Sequence, residues 1–578
     1  MSITIEKNVA IPMRDGVVLR ADIYRPTGEH PCPVLLQRTP YNKEFLPLVG
    51  MTLDPIRAAA AGYAVVIQDV RARWASAGGV FFPYVNEAAD GADTLDWIAA
   101  QPFCDGGIGA YGLSYMGGTT WLCAASGHPA LKAISPTTAP NDFWRNHFWR
   151  DGVLQLSTLV MWALRVIGPA ALLRRGLDLP TLGARLVELV EALDHFGDCV
   201  RERPLDRLLA AHPEDAEFVP FLFEVLRHPR PDAWTESLLF SDRHDRVRAP
   251  ALIIAGWHDM LLGGDLSHYA GMRTRAGSAE AREQTRLVVG PWSHAMFLNY
   301  VGQLDFGFRS SGYLLDLRED LTQMQLRWFN RWLKGDATSF ATDAPVRVFV
   351  QGANRWRDEA VWPPARARLT PWYLRAGAAL CMQAPRADER SDSYVYDPED
   401  PCPTCGGTLL MPPQYSPGPV DQAPILGRRD VLVYTSAPLA EDLEICGPVT
   451  LNLFASTSAV DTDWMAKLCD VHPDGRTFNV CDGVVRASYQ AHTNGTAGTT
   501  GAPDTPIRRE LDLWATAMVF RAGHRLRVIV TSSDFPRYDR NPNTGASSFT
   551  ATGSAPALQT VFHTSDLPSC INLPVVNG

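Results

Sequence analysis

Residues Ile108 to Gly118 read IGAYGLSYMGG, and few backbones accept that string. Its first half is short, apolar and strand-forming. Gly112-Leu113-Ser114-Tyr115 asks for a turn too tight for large neighbours, and Met116 onward (MGGTTWLCAAS) reads as a small-residue helix closed by Gly127. A strand that turns at one serine straight into a helix lifts the hydroxyl above the strand ends, and the next amide N–H faces whatever that hydroxyl attacks. The glycine after the serine stands at the third position, Gly117, where the common G-x-S-x-G pattern has it at the second. The string therefore needs support from its surroundings.

The surroundings supply a sheet. PVLLQ (33–37) and AVVIQ (64–68) are buried-type strands on either side of helical DPIRAAAAG, Ala88 to Gln101 has helical spacing, and Lys132 to Ser135 is the next strand. Strands alternating with helices predict a parallel sheet with right-handed crossovers. Residues 3 to 25 add a hairpin at Asp15-Gly16. From about Asn141 to Leu239 the chain turns helical and aromatic, then the sheet resumes at ALIIA (251–255) and RLVVG (286–290), and a helix at Leu321 to Leu333 closes this part. From Val346 short alternating strands punctuated by Gly, Pro and Asp predict an antiparallel sandwich. The expected division is one α/β domain in two parts (1–140 and 241–345), a helical cap (141–240) over its strand ends, and an all-β domain (346–578).

A chain of 578 residues is long enough for several such cores. Net charge of −10 leaves no basic face for nucleic acid or an anionic membrane. The N-terminus lacks an apolar signal core, and the nearest approach to a spanning segment, Val153 to Leu173, is interrupted by Gln155, Arg165 and Gly168-Pro169. The expected location is cytoplasmic. Eleven cysteines without dense spacing fit reduced thiols, and the single C-x-x-C at Cys402–Cys405 has no second pair at metal spacing, so it is read as a turn. Neither metal nor organic cofactor is expected.

A serine on such a turn works with an acid and then a histidine, each on a loop just past a later strand. Asp259 follows ALIIAGWH and His294 follows RLVVGPWS. The carboxylate would orient the imidazole, which would take the serine proton and pass it to the leaving group. The loop after the first sheet strand, RTPYNK, offers the Tyr41 hydroxyl as an oxyanion donor beside the Tyr115 amide. Trp144, Trp149 and Trp162 from the cap, with Trp257 and Leu261 around the acid, are candidates for the pocket wall; core packing is the alternative for each.

With these residues in view the chain resembles the cocaine-esterase-like (CocE/NonD) hydrolases, relatives of X-prolyl dipeptidyl peptidases and α-amino-acid ester hydrolases. The motifs that carry the resemblance are RTPYNK, D-V-R followed by S-x-G-G, QPFCDGGIGAYGLSYMGG, GWHD, GPWSH, RWFNRWLKG, VRVFVQGANRWRDE, DTDWMAKLCDVHPDG and SSDFPRYDRNPNTG, and they span nearly the whole chain. The resemblance implies an α/β-hydrolase domain with an inserted helical cap and a C-terminal jelly-roll sandwich. It also implies Ser114 as nucleophile, Asp259 as acid, His294 as base, and Tyr41 with the Tyr115 amide as oxyanion hole, and it makes the late Gly117 the family's own form. Two departures stand out. Ala72 and Arg73-Trp74 replace the usual glycine after Arg71, and Met260-Leu261-Leu262 stand where amino-acid ester hydrolases carry carboxylates for a substrate ammonium. An apolar wall leaves such a cation poorly solvated.

The expectation is a serine hydrolase of carboxylic esters with an apolar or aromatic acyl part, acting through an acyl-enzyme. An amidase or acylase is the alternative, and a binding protein with a silent hydrolase half is the alternative from another class. The partner is a small-molecule ester or amide, and self-association through the sandwich surface stays open.

Overall fold

The computed structural model describes residues 2–28, 30–142, 145–202, 205, 219–230, 232–236, 238, 240, 243–493 and 504–576. Ten strands form the first sheet: β1 (Ile3–Pro12), β2 (Val18–Pro26), β3 (Cys32–Thr39), β4 (Ala64–Asp69), β5 (Cys104–Leu113), β6 (Leu131–Thr137), β7 (Leu252–His258), β8 (Arg286–Ser293), β9 (Val346–Val350) and β10 (Arg355–Glu359). Their order is β1-β2-β4-β3-β5-β6-β7-β8-β9-β10. Neighbours from β4 to β9 run parallel, and antiparallel partners close both edges. Strands β4 and β7 are buried at every residue, which is why AVVI and LIIAGW read as apolar runs before their polar last residues: helices cover both faces of a parallel sheet. Helices α1 (Glu87–Ala99) and α2 (Tyr115–Ala124) follow β4 and β5. All the parallel strands end at one rim, and Ser114, Asp259 and His294 each come directly after such an end.

Between β6 and β7 the chain leaves the sheet. Helix α3 (Leu156–Trp162) runs through a π-helical turn (Ala163–Ile167) into α4 (Gly168–Arg174), and α5 (Leu179–Asp194) and α6 (Pro220–Arg227) follow. Pro169 has no N–H for the preceding turn, and the ladder widens there. The stretch Leu156–Arg174 is long and apolar enough to cross a membrane by composition, yet 67 % of it is buried inside the molecule. Among the described residues the aromatic run before α3 is not helical as expected: Trp149–Arg150 pairs with Val153–Leu154 in a small hairpin turned by Asp151-Gly152, both at positive φ.

The C-terminal part is an eleven-stranded β-structure folded over its own core, with Trp372, Leu451, Trp464, Val528 and Leu573 inside. Its long members are β11 (Leu443–Thr457), β12 (Asp463–Val471), β13 (Thr477–Arg486), β14 (Ile507–Phe520) and β15 (Arg525–Thr531). The two strands that follow the expected start of this domain at Val346 pair outside the sandwich. VRVFV pairs parallel with β8 and RWRDE returns antiparallel, so both belong to the first sheet and the sandwich strands begin at Ala367. Alternating short strands look alike in either setting, and only the pairing partner separates them. The cap hairpin locks onto the sandwich through Arg150, fully buried, whose guanidinium meets the Asp482 carboxylate at 2.9 Å and lies 3.8 Å over the Trp514 ring.

Candidate active site

Ser114 sits between β5 and α2 at φ 60° and ψ −125°, a backbone region that side chains rarely occupy unless their surroundings hold them there. Its amide donates to Thr137 O at 2.9 Å, and its carbonyl accepts from Gly118 at 3.0 Å. A side chain at Gly112 would stand 2.4 Å from the Met116 backbone, and one at Gly117 would stand 2.7 Å from Ala139 Cβ. Both glycines are required because the strand end and the first helical turn fold back onto each other.

His294 Nε2 lies 2.9 Å from Ser114 Oγ, and His294 Nδ1 lies 3.1 and 3.0 Å from the two Asp259 oxygens. The partners assign the tautomer: Nδ1–H donates to the carboxylate and Nε2 accepts the serine proton. Asp259 is wholly buried, and its Oδ1 also accepts the Leu261 amide at 2.7 Å. A hydroxyl, base and orienting acid at these separations form a charge-stabilised nucleophile.

Tyr41 brings its hydroxyl to the same place, with the Ser114 hydroxyl, the Trp162 indole N–H and the Tyr115 amide as hydrogen-bond neighbours. Burial raises the phenol above its ordinary range, so Tyr41 stays a neutral donor. Its loop is pinned from below and from the side. Buried Lys43 sits 3.6 Å from both Asp22 and Asp69, and its amide donates to Asp69 at 2.8 Å. Pro40 O accepts from both Arg73 Nε and Trp74 Nε1 at 2.9 Å. The unusual Ala72-Arg73-Trp74 loop thus acts as a clamp: Arg73 also donates to Val166 O at 2.9 Å in the cap's π-turn.

Beneath the serine, the Tyr115 hydroxyl donates to Glu87 at 2.8 Å and accepts from the Tyr84 amide at 3.0 Å. Its ring stacks between Tyr84 and Trp162. Burial raises the Glu87 carboxyl, opposed by Arg38 at 2.8 Å. Glu87, Arg38 and Arg73 are absent from the sequence-derived site, because nothing in a buried helical glutamate or a strand arginine points to the serine before the chain is folded.

The serine opens into a cavity of about 340 Å³ walled by Tyr84, Met116, His147, Thr158, Met161, Trp162 and Met260. The charged side chains on its lining are Arg73 and Arg165, and no carboxylate lines it among the described residues. Burial and the neighbouring His294 push His147 down to about 3, so this ring is neutral. Of the expected wall residues, Trp162 is present. Trp149 is not: it is buried against the cap core. Trp257 packs on Trp362 with its N–H on Phe349 O at 2.7 Å, and Leu261 is buried, its place on the wall taken by Met260. Both residues lie in the turn past the strand end, where side-chain direction is set by the turn and not by strand alternation. Trp144 lies outside the described residues. His147 and His294 are the potential metal ligands on the lining, too few for a metal centre.

Comparison with known proteins gives the family. The pattern of the X-Pro dipeptidyl-peptidase (S15 family) matches residues 15–296, and that of the X-Pro dipeptidyl-peptidase C-terminal non-catalytic domain matches residues 338–572. The chain is 38 % identical to the cocaine esterase of Rhodococcus sp. (strain MB1 Bresler) over 94 % of its own length and 93 % of that protein's. Among solved structures it is similar to an aminopeptidase from a marine sediment Thaumarchaeota archaeon (26 % identity, TM-score 0.82, covering 100 % of this chain and 97 % of that one). It is also similar to an α-amino acid ester hydrolase (26 % identity, TM-score 0.79, covering 99 % and 96 %).

Proposed function

The chain belongs to the S15 X-Pro dipeptidyl-peptidase family, among its CocE/NonD hydrolases, and from that premise we propose a serine carboxylesterase selective for uncharged, apolar or aromatic acyl groups. The observation that carries the reading is the Ser114–His294–Asp259 hydrogen-bond chain ending in an apolar cavity without a carboxylate on its walls. Ser114 Oγ attacks the ester carbonyl as His294 takes its proton. The oxygen that gains charge is met by the Tyr41 hydroxyl and the Tyr115 amide. His294 then protonates the departing alkoxide, and water, deprotonated by the same imidazole, releases the acid.

An S15 family pattern and a similar aminopeptidase favour amide cleavage as the second reading. A substrate with a free α-ammonium needs an anion near the acyl site, and Arg73 and Arg165 oppose it. Hydrolysis of p-nitrophenyl benzoate, benzoyl p-nitroanilide and an X-Pro p-nitroanilide separates the readings. The ester is expected to be turned over by far the fastest, and preference for the X-Pro anilide would overturn the proposal. Labelling by a fluorophosphonate, lost in Ser114→Ala, tests the nucleophile itself.

A further inference from the structure

Away from the serine, the sandwich places a second group of reactive side chains together. Asp470 is the penultimate residue of β12 and His472 is the first residue past its end, so the two meet at one strand end. Strands β12 and β15 pair antiparallel with Val471 opposite Arg525, and one step further that register sets His472 opposite His524. Two tight turns hold these strand ends. One is the His472–Arg476 turn, with Gly475 at φ 92°, and the other is the Arg521–His524 turn, with Gly523 at φ 83°.

The result is compact. His524 Nδ1 is 2.9 and 3.0 Å from the Asp470 oxygens, His472 Nε2 is 3.3 Å from Asp470 Oδ2, and the two rings lie 4.5 Å apart. The three ligand atoms all fall within 4.8 Å of one another. Around a tetrahedral zinc ion with bonds of about 2.0–2.2 Å, ligand atoms sit roughly 3.3–3.6 Å apart, so little movement separates this arrangement from coordination. Asp470 is buried, His472 is backed by the Phe478 ring, and both histidines open on a cavity of about 240 Å³. The hydrolase domain lines the other side of that cavity with Asp305, Phe306, Gln351 and Asn354. The nearby guanidinium groups are already neutralised, Arg476 by Asp474 and Arg521 by Asp442, each at 2.8 Å.

We propose that Asp470, His472 and His524 form a mononuclear site for a divalent first-row transition metal of the zinc class, with water completing its shell. Two imidazole nitrogens and one carboxylate match that chemistry better than they match magnesium or calcium, which prefer oxygen alone. On binding, the metal takes the place of the proton between His524 Nδ1 and Asp470, and the neutral ring carries its one remaining proton on Nε2. No redox step is involved. The ion would staple two sandwich turns where they meet the hydrolase sheet, remote from ester turnover.

The test uses untagged full-length protein treated with a chelator and then titrated with Co²⁺ and, separately, Zn²⁺. One equivalent of Co²⁺ is expected to bind with weak visible d–d bands and without sulfur charge-transfer absorption, which separates this site from the cysteines. His472→Gln and His524→Gln are each expected to weaken binding by about 100-fold. Zn²⁺ is expected to raise the unfolding temperature of the unsubstituted protein and of neither variant. Hydrolysis of a p-nitrophenyl ester should be equal in all three. His472 sits on a partly exposed turn, so its variant retains the fold even if His524→Gln does not. Absence of saturable binding at micromolar metal, or binding that survives both substitutions, overturns the proposal.

Discussion

Ser114 is held at positive φ by hydrogen bonds from both flanks, so its hydroxyl can be deleted without disturbing the turn. Ser114→Ala is expected to fold as the parent does and to lose at least about 10⁴-fold in kcat, measured as ester hydrolysis beside circular dichroism. Tyr41→Phe removes a donor placed for the tetrahedral oxyanion, so kcat should fall by about 10²–10³-fold with KM little changed. A rise in KM alone would instead assign the hydroxyl to ground-state binding. Trp162 has a double duty, as cavity wall and as N–H neighbour of the Tyr41 oxygen. Trp162→Phe keeps most of the wall and loses the N–H, and should lower kcat less than Tyr41→Phe does. At this scale the triad was legible from chain order, since each member directly follows a strand end. The supporting Glu87, Arg38 and Arg73 were not, because each acts through a contact between segments far apart in the chain.

The Trp149–Leu154 hairpin is one of the places where the cap meets the sandwich, beside the contacts of Gln414 with Leu193 O and of Arg540 with Arg201 O, and its hold is electrostatic as much as apolar. Burial would raise the Asp482 carboxyl, yet the guanidinium groups of Arg537 and Arg150 outweigh it and keep that carboxyl well below the usual range. Asp482→Ala removes the carboxylate from buried Arg150 and leaves buried Arg537 with Asp534 at 3.7 Å, and is expected to cost about 3–5 kcal/mol, seen as a lower denaturation midpoint. The pH dependence has a definite sign. The folded pKa lies below the unfolded value of about 3.9, so the stabilisation is complete above the unfolded value and is lost as pH falls from there through the folded one. The gap in stability between the parent and Asp482→Ala should therefore be constant near neutral pH and narrow below about pH 4. The hairpin itself escaped sequence reading: NDFWRNHFW is aromatic at spacings that suit a helix, and the Asp-Gly pair that reverses the chain, Asp151-Gly152, follows it without the alternating strands that marked the hairpin at Asp15-Gly16.

Across the molecule, one apolar core runs through both domains. Leu409, Met411, Trp514, Ala517 and Phe535 of the sandwich pack in the same cluster as Trp121, Trp162 and Ile253 of the hydrolase and cap. Such continuity predicts a single unfolding transition, in which ester hydrolysis, tryptophan fluorescence and β-sheet circular dichroism are lost together on heating. A chain ending after Glu359 would expose the hydrolase side of that core and is expected to be insoluble.

Local patterns in the amino-acid order were enough to determine the strand–helix alternation, the serine turn, the positions of Asp259 and His294 and the all-β tail, because periodicity, glycine and strand ends act over a few residues. Three matters were decided only in the folded molecule. They are the allegiance of VRVFV and RWRDE to the first sheet, the exchange of Leu261 for Met260 on the cavity wall, and the meeting of Asp470 and His472 with His524. Each depends on which distant strand becomes a neighbour, and strand pairing is set by the burial of whole faces rather than by any run of residues.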